Sequence, residues 1–398
     1  MLYVDASPAV HHKAGLGRYA EDLIGALRAR GTDLTVLYHD AAHAKPSPLI
    51  KSLPQVATAQ GAYPWRLRAL LAQLLNLAQD DFLQTADAGR QTTHGGPPSF
   101  AVNIFHATEH LLPRFKRAQT VFTLHDLIFK FFPQHHLPRN RMFLSLAMPL
   151  FLRRAHAVIC VSEHTKRDAM RLYQLPEPKL RVVYEGVHSR FKRIVDWPTL
   201  QRARERYNLP EKFIVAVGTI EPRKNLPLLF EAFKLLLADA GGKFDDTAII
   251  VVGKQGWLFE ETFKAVHTCG LTGRVRFVGY VPDEDLPAVY SLAQVLAFPS
   301  VYEGFGFPPL EALACATPVI SSNTASLPEL LGDAALLLPP NEASQWVSAL
   351  RQVLSDRNFA RELGQRGPNQ ARKYTWERAA AETVRVYDAV LGRGATAR

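Results

Sequence analysis

A chain of 398 residues has room for about two domains, and its 47% hydrophobic content is that of a folded globular protein. No apolar run approaches about 18 residues, so a membrane-spanning helix is not expected. The net charge of +10 is lopsided: residues 1–200 hold 25 Lys and Arg against 15 Asp and Glu, whereas residues 201–398 hold 22 of each. Such a surplus fits either a solvated surface or a face that meets anionic lipid headgroups or nucleic acid. No motif of stacking aromatics among cations accompanies it, so nucleic acid is not an expected partner.

Met1 leads directly into Leu2–Ala6, a strand-like start rather than a signal peptide. Pro8–Gly17 then reads as a loop ending Gly15-Leu16-Gly17, Arg18–Arg30 as an amphipathic helix closed by Gly31, and Asp33–His39 as a second strand. This β–loop–α–β opening is that of a doubly wound sheet. Its G-x-G lacks the third glycine of the dinucleotide fingerprint, which leaves phosphate contact a weak inference. Trp65–Leu77 is an apolar helix with arginines near its start, a core helix or an interfacial one. Ala86–Ser99, rich in Gly, Pro and Thr, reads as a loop.

Short apolar runs follow, each with a polar end: Val102–Phe105 before His106, Thr120–Leu124 before His125-Asp126, Ala157–Val161 before Ser162, and Val182-Val183 before Tyr184-Glu185-Gly186. In an open parallel sheet, groups that touch ligand gather just past the carboxyl ends of strands. Ser162 also fits the N-cap of a helix reaching Leu172. His125 fits a hydrogen-bonded structural histidine and a ligand contact equally. Cys160, Cys269 and Cys315 lack metal-ligand spacing and read as free thiols of a reducing compartment.

Residues 191–210, with a short helix at Leu200–Tyr207, read as a connection, after which the pattern restarts. Strands are expected at Phe213–Val217, Ala248–Val252, Val275–Val278, from Val295, Pro318–Ser321 and Ala335–Leu338, with helices at Leu226–Leu237 and Asp285–Leu292 between them. The loop Gly218–Asn225 sets Arg223 and Lys224 at a strand–helix junction, where a planar fork and a point charge suit phosphate oxygens. Asp283-Glu284-Asp285 follows Pro282 at a helix start and reads as a cap rather than a metal site. The densest signal is Val301–Glu311: a strand-to-helix turn with two glycines, Pro308-Pro309 suited to the first helical position, and carboxylates at Glu303 and Glu311. Glycines let a ligand approach the backbone and a helix start offers N–H groups to an anion. Carboxylates there suit hydroxyl donors, so a nucleotide-sugar fits the turn.

Together E-G-F-G-F-P-P-L-E, V-G-T-I-E-P-R-K-N, G-L-G-R-Y, T-L-H-D and S-S-N-T-A-S-L-P-E-L resemble the retaining family 4 glycosyltransferases, nearest the bacterial mannosyltransferase-like members that build lipopolysaccharide and exopolysaccharide. The resemblance implies an α/β fold of two Rossmann-like doubly wound domains facing across a cleft (GT-B). Residues 1–190 would be the acceptor domain, 191–210 the linker, 211–375 the nucleotide-sugar domain, and 376–398 a helix crossing back to the first. It implies that Arg223 and Lys224 bind the donor diphosphate, Glu311 the ribose hydroxyls, and Glu303 with the amides of Gly304, Phe305, Gly306 and Phe307 the donor sugar. His125 would contact the sugar near the reacting carbon, Gly15 and Gly17 would approach the phosphates, and Gly253, Tyr280 and Val281 would border the base.

The implied function is sugar transfer, with retention, from GDP-mannose or a UDP-sugar to a lipid-linked or polysaccharide acceptor. No metal or other cofactor is expected, since Arg223 and Lys224 supply the positive charge. The expected location is the cytoplasm, peripheral at the inner face of an anionic membrane. The alternatives are a sugar-nucleotide epimerase of the same fold and a non-catalytic polyanion- or membrane-binding protein.

Overall fold

The computed structural model describes residues 1–80 and 103–392; the loop expected at Ala86–Ser99 lies outside them. The chain divides into two compact units. The first comprises Met1–Lys130, Pro138–Gly186 and the residues from Trp376 onward, the second Phe131–Leu137 and Val187–Thr375.

The first unit is a parallel sheet of β1 (Leu2–Asp5), β2 (Leu34–Tyr38), β3 (Gln55–Ala57), β4 (Asn103–Ala107), β5 (Ala118–Leu124), β6 (Ala157–Cys160) and β7 (Leu180–Val182), in the order β3-β2-β1-β4-β5-β6-β7. β1, β2 and β6 are buried along their whole length, which is why these segments read as apolar runs rather than alternating ones. The order reverses between β1 and β4, where Leu2 pairs with both Leu34 and Ile104. The last helix, Trp376–Val390, packs on the helix Ala14–Ala29, with Trp376 against Tyr19 at 5.9 Å between ring centres.

Two expectations need correction here. Gly15-Leu16-Gly17 is not loop: the helix begins at Ala14 and holds all three in its first turn. A Cβ on Gly17 would stand 2.8 Å from the Pro8 carbonyl oxygen, so this glycine lets a helix lie against the preceding turn. Gly15, exposed, sits where helical N–H groups lack intrahelical partners. His106 does not follow its strand but lies within β4, fully buried.

The second unit is a parallel sheet of β8 (Lys212–Val217), β9 (Thr247–Val252), β10 (Val275–Gly279), β11 (Val295–Phe298), β12 (Val319–Ser322) and β13 (Leu336–Leu338), ordered β10-β9-β8-β11-β12-β13, with its reversal between β8 and β11. Its core interleaves Ile214, Ile249, Val251 and Val295 of the sheet with Phe230, Phe233 and Trp346 of covering helices. Residues 187–210 group with this unit. Their helix runs Trp197–Arg206, opens on an Asp196 cap that accepts from Thr199 N at 2.9 Å, and packs against Leu286–Leu292. Among the helices that the sequence does not announce are Pro138–Arg154, whose period is broken by an internal Pro149, and Glu260–Thr268.

Candidate functional site

In the second unit, β8 ends at the reversal point and hands the chain to a single helical turn, Pro222–Lys224. The crossing from β8 to β9 is tight. Gly218 N donates to Val252 O at 2.9 Å, and a Cβ on Gly253 would stand 1.9 Å from Gly218 O. With φ at +148°, Gly253 is held to glycine by both space and conformation. That contact presents residues 219–225 as one braced loop.

The loop's two cations converge on the turn after β11. Lys224 Nζ donates to Glu303 Oε1 at 2.6 Å, and the Arg223 guanidinium donates to Glu303 Oε2. Arg223 also donates twice to Glu221 Oε1, at 2.9 and 2.6 Å, and Ser300 Oγ donates to Glu303 Oε1 at 2.6 Å. Val301 N caps the arrangement by donating to Arg223 O at 2.9 Å. Burial would raise the Glu303 pKa, but the charges of Arg223 and Lys224 outweigh it and hold the carboxyl below its ordinary value. Burial, with Arg223 beside it, pushes Lys224 down against the pull of Glu303. The product is a buried two-cation, two-carboxylate network. Sequence reasoning found Arg223, Lys224 and Glu303 but not Glu221 and Ser300, although each lies within three residues of a named partner.

Glu311 is held by a different group: its Oε2 accepts from Tyr290 OH at 2.9 Å, inside the helix Phe307–Ala314. This helix starts at Phe307, so the prolines occupy its second and third positions rather than its first. Pro308 and Pro309 carry no N–H, which leaves the helix start fewer donors for an anion than expected. Gly306 reaches φ +120°, and Ser326 Oγ fastens the turn by donating to Glu303 O and Phe305 O at 3.0 and 2.7 Å. Phe305 is buried between Phe307 and Tyr374. At the end of β10, Val281 is buried, whereas Tyr280 is 56% exposed with Lys254 Nζ over its ring at 4.8 Å. Asp285 stands at the N-cap position of the helix Leu286–Leu292, as expected, but its side chain makes no cap bond: it accepts from Arg206 at 2.9 Å and from Tyr207 OH at 2.5 Å.

In the first unit, His125 stands just past β5, buried, with Tyr19 edge-on at 4.7 Å. Nε2 lies 2.9 Å from Thr108 O and Nδ1 lies 3.1 Å from Glu185 Oε1. A carbonyl oxygen only accepts, so Nε2 carries a proton; Nδ1 and Glu185 then share another. Burial alone would lower the imidazole pKa, but the bond and charge of Glu185 win and raise it. Burial likewise holds Glu185 above the usual carboxylate value despite His125. Glu185 was visible as part of Y-E-G, but nothing in the sequence paired it with a residue 60 positions away.

His106 is a structural residue: Tyr387 OH and Thr123 Oγ1 lie 2.7 Å from its two ring nitrogens, and burial takes its pKa down to about 3. Ser162 caps the helix Glu163–Tyr173, accepting from Thr165 N at 3.1 Å. Nearer the reversal point, Asp5 and Glu109 lie buried beside Lys13, which donates to Glu109 at 2.6 Å. Burial and Glu109 push the Asp5 carboxyl up to about 7. Among the described residues, no group of His, Cys, Asp and Glu has the arrangement of a metal site.

Residues 14–191 match the Glycosyltransferase Family 4 model and residues 199–370 the Glycosyl transferases group 1 model. The chain is 29% identical to O-antigen chain mannosyltransferase B of Escherichia coli over 96% of this chain and 97% of that protein. Among solved structures, HepE of Anabaena in complex with UDP and glucose superposes with a TM-score of 0.72 at 18% identity, covering 98% of this chain and 100% of that one. A sucrose-phosphate synthase of Thermosynechococcus elongatus gives 0.71 at 21% identity, covering 98% and 99%. These two likenesses establish the fold, two Rossmann-like domains of the GT-B type.

Proposed function

The chain belongs to the family 4 glycosyltransferases, with a group 1 second half, and we propose that it moves a hexosyl group from a nucleotide-sugar to a growing surface glycan. The donor is GDP-mannose or a UDP-sugar, the acceptor a lipid-linked or polysaccharide chain of O-antigen or lipopolysaccharide type, and transfer proceeds with retention. The relative's name, an O-antigen chain mannosyltransferase, favours mannose. Family membership is that of a transferase, not of the epimerase or of the non-catalytic binder.

One observation carries the reading: Arg223 and Lys224 converge on a single carboxylate, that of Glu303. A diphosphate brings its own negative charge to those cations and competes with Glu303 for them. Glu303, so released, can accept from a sugar hydroxyl. As the glycosidic bond breaks, charge builds on the leaving diphosphate, and two fixed cations stabilise that state more than the ground state. In this reading they supply the positive charge that a metal supplies in other transferases, so the reaction needs no cofactor. Glu311 holds the ribose, the turn Gly304–Phe307 the sugar, and Tyr280, Val281 and Gly253 border the base. Gly15 and Gly17, in the first turn of their helix, are assigned to phosphate contact. His125 contacts the sugar, its ring oriented by Glu185. The protein works in the cytoplasm, at the inner face of an anionic membrane.

Lys224→Ala tests this. Turnover with a panel of GDP- and UDP-sugars should fall by about a hundredfold or more while the protein stays folded. Wild-type turnover in that variant would remove the phosphate assignment.

A further inference from the structure

In the first unit, the helices Ala62–Leu74 and Pro138–Arg154 pack side by side, with Arg66 over the ring of Phe143 at 5.8 Å. Their outer faces are apolar. Leu67, Leu71 and Leu74 recur at helical spacing on one, Met142 and Leu146 on the other, and Leu75 and Leu77 extend the first. All seven are between 42% and 63% exposed. Patches of this kind on soluble domains mark interaction surfaces. The charge of the two helices says which kind. They carry Arg66, Arg68, Arg139, Arg141, Arg153 and Arg154 and not one acid.

A pocket adjoins the far end of this face. Arg114 Nε donates to Asn76 Oδ1 at 2.9 Å, and Arg154 Nη1 reaches the same oxygen at 3.5 Å. Two guanidiniums thus converge on one neutral amide oxygen. Among the described residues neither pairs with a carboxylate, and Lys116 lines the same cavity of about 490 Å³. Asp80, which bonds to the same stretch of chain, is occupied by the backbone N–H groups of Lys116 and Arg117, at 3.1 and 3.0 Å. Converging cations without a counter-charge are costly unless an anion joins them. The pocket lies at the starts of β5 and β6, beside Ala118 and His156, whereas His125 lies past the opposite end of β5. It is therefore separate from the chemistry around His125.

We propose that the outer faces of helices Ala62–Leu74 and Pro138–Arg154, with the Asn76–Arg114–Arg154 pocket at their end, dock onto the phosphate headgroups and upper acyl chains of an anionic lipid bilayer. Leucines beside cations match an amphiphile's two parts: the arginines take phosphate oxygens and the apolar stripe enters the headgroup–acyl boundary. This gives a place to the membrane contact proposed above, and its test does not depend on turnover.

The test is co-sedimentation of the full-length protein with vesicles of phosphatidylcholine alone and of phosphatidylcholine with phosphatidylglycerol. The expected result is at least about tenfold stronger binding to the anionic vesicles. Arg114→Gln/Arg154→Gln should bring that binding to the neutral-vesicle level, and Leu71→Ser/Leu74→Ser/Met142→Ser should weaken binding to both. The proposal is overturned by equal binding to the two compositions, or by an arginine variant that matches wild type. It is also overturned if inorganic phosphate raises the Tm of wild type but not of the arginine variant while leaving vesicle binding unchanged, since that marks a small-anion pocket that the lipid does not use. Nucleotide-sugar protection against thermal unfolding, measured in the same variants, should equal that of wild type. Its absence from wild type would count against the donor reading alone.

Discussion

Glu303→Gln asks whether this carboxylate is the counter-charge of Arg223 and Lys224. Its oxygens take donors from Lys224 and Ser300, each at 2.6 Å, and from Arg223. In the variant Arg223 keeps its two bonds to Glu221, so the cation left facing a neutral amide is Lys224. Breaking a buried ion pair from one side costs about 3–5 kcal/mol, and because the Lys224 side chain retains 11% exposure the lower end applies. In a unit of this size each kcal/mol is worth about 2–4 °C, so Tm should fall by about 6–12 °C. The dependence on pH follows in sign. Burial and Arg223 already hold the Lys224 pKa below its usual value, and losing Glu303 lowers it further. Raising the pH strips that proton, and with it the uncompensated charge, so the Tm gap between wild type and variant narrows as pH rises from about 7 to about 10. A nucleoside diphosphate at about a hundred times its Kd adds roughly 2.7 kcal/mol to either protein, so at one fixed concentration it narrows the gap only by binding the variant more tightly, as expected where it replaces the lost counter-charge. Differential scanning fluorimetry at both pH values, with and without the nucleotide, reads all three effects. A gap below about 2 °C, or one that widens with pH, refutes the assignment.

Glu185→Gln removes the acceptor that raises the His125 pKa, so burial should then drive it below the ordinary imidazole value; an imidazole NMR titration that matches wild type would contradict this. The same variant should shift the limb of the kcat–pH profile that reports His125 to lower pH, with the donor KM unchanged. Gly253→Ala forces a Cβ to 1.9 Å from Gly218 O, so loss of soluble protein or at least about 4 kcal/mol of stability is expected, checked by chemical denaturation. Asp5, with its pKa raised to about 7 by burial and Glu109, is destabilised in the fold once ionised. Wild-type stability should therefore decline as pH rises from about 4 through about 7, and Asp5→Asn should lack that decline. Parallel Tm–pH curves would show that Asp5 does not titrate in the fold.

What the sequence disclosed depends on the range over which each signal acts. Strand ends were legible because β5, β8 and β11 are apolar runs with abrupt polar ends, and the polar end is where a parallel sheet presents its ligand groups. His125, Arg223 and Glu303 were found by that local rule. His106 was misplaced by the same rule: its run continues through Ala107, and Tyr387 and Thr123 satisfy both ring nitrogens inside the core. Gly15 and Gly17 were read as loop because glycine disfavours helix, yet Gly17 is there for the approach of Pro8, a contact that helix propensity does not encode.

Partnerships are the least legible class. Nothing near Glu303 announces that its oxygens are taken by Lys224 and Arg223, some eighty residues earlier, and nothing near His125 announces Glu185. Those pairings arise because successive βα units bring equivalent loops to one edge of a sheet, so distant turns become neighbours. A carboxylate that looks, in sequence, like a hydroxyl acceptor is then found as the counter-ion of two cations. These roles are compatible: a group that must accept from sugar only when diphosphate is present is well served by a partner that diphosphate competes for. In the proposed function, the buried network is the route by which donor binding switches Glu303 from charge compensation to sugar recognition. Lys224→Met/Glu303→Gln examines the coupling directly. If the two act as a pair, the double variant should be more stable than Glu303→Gln alone, because no cation remains uncompensated; strict additivity of the two single losses would dissolve the pairing.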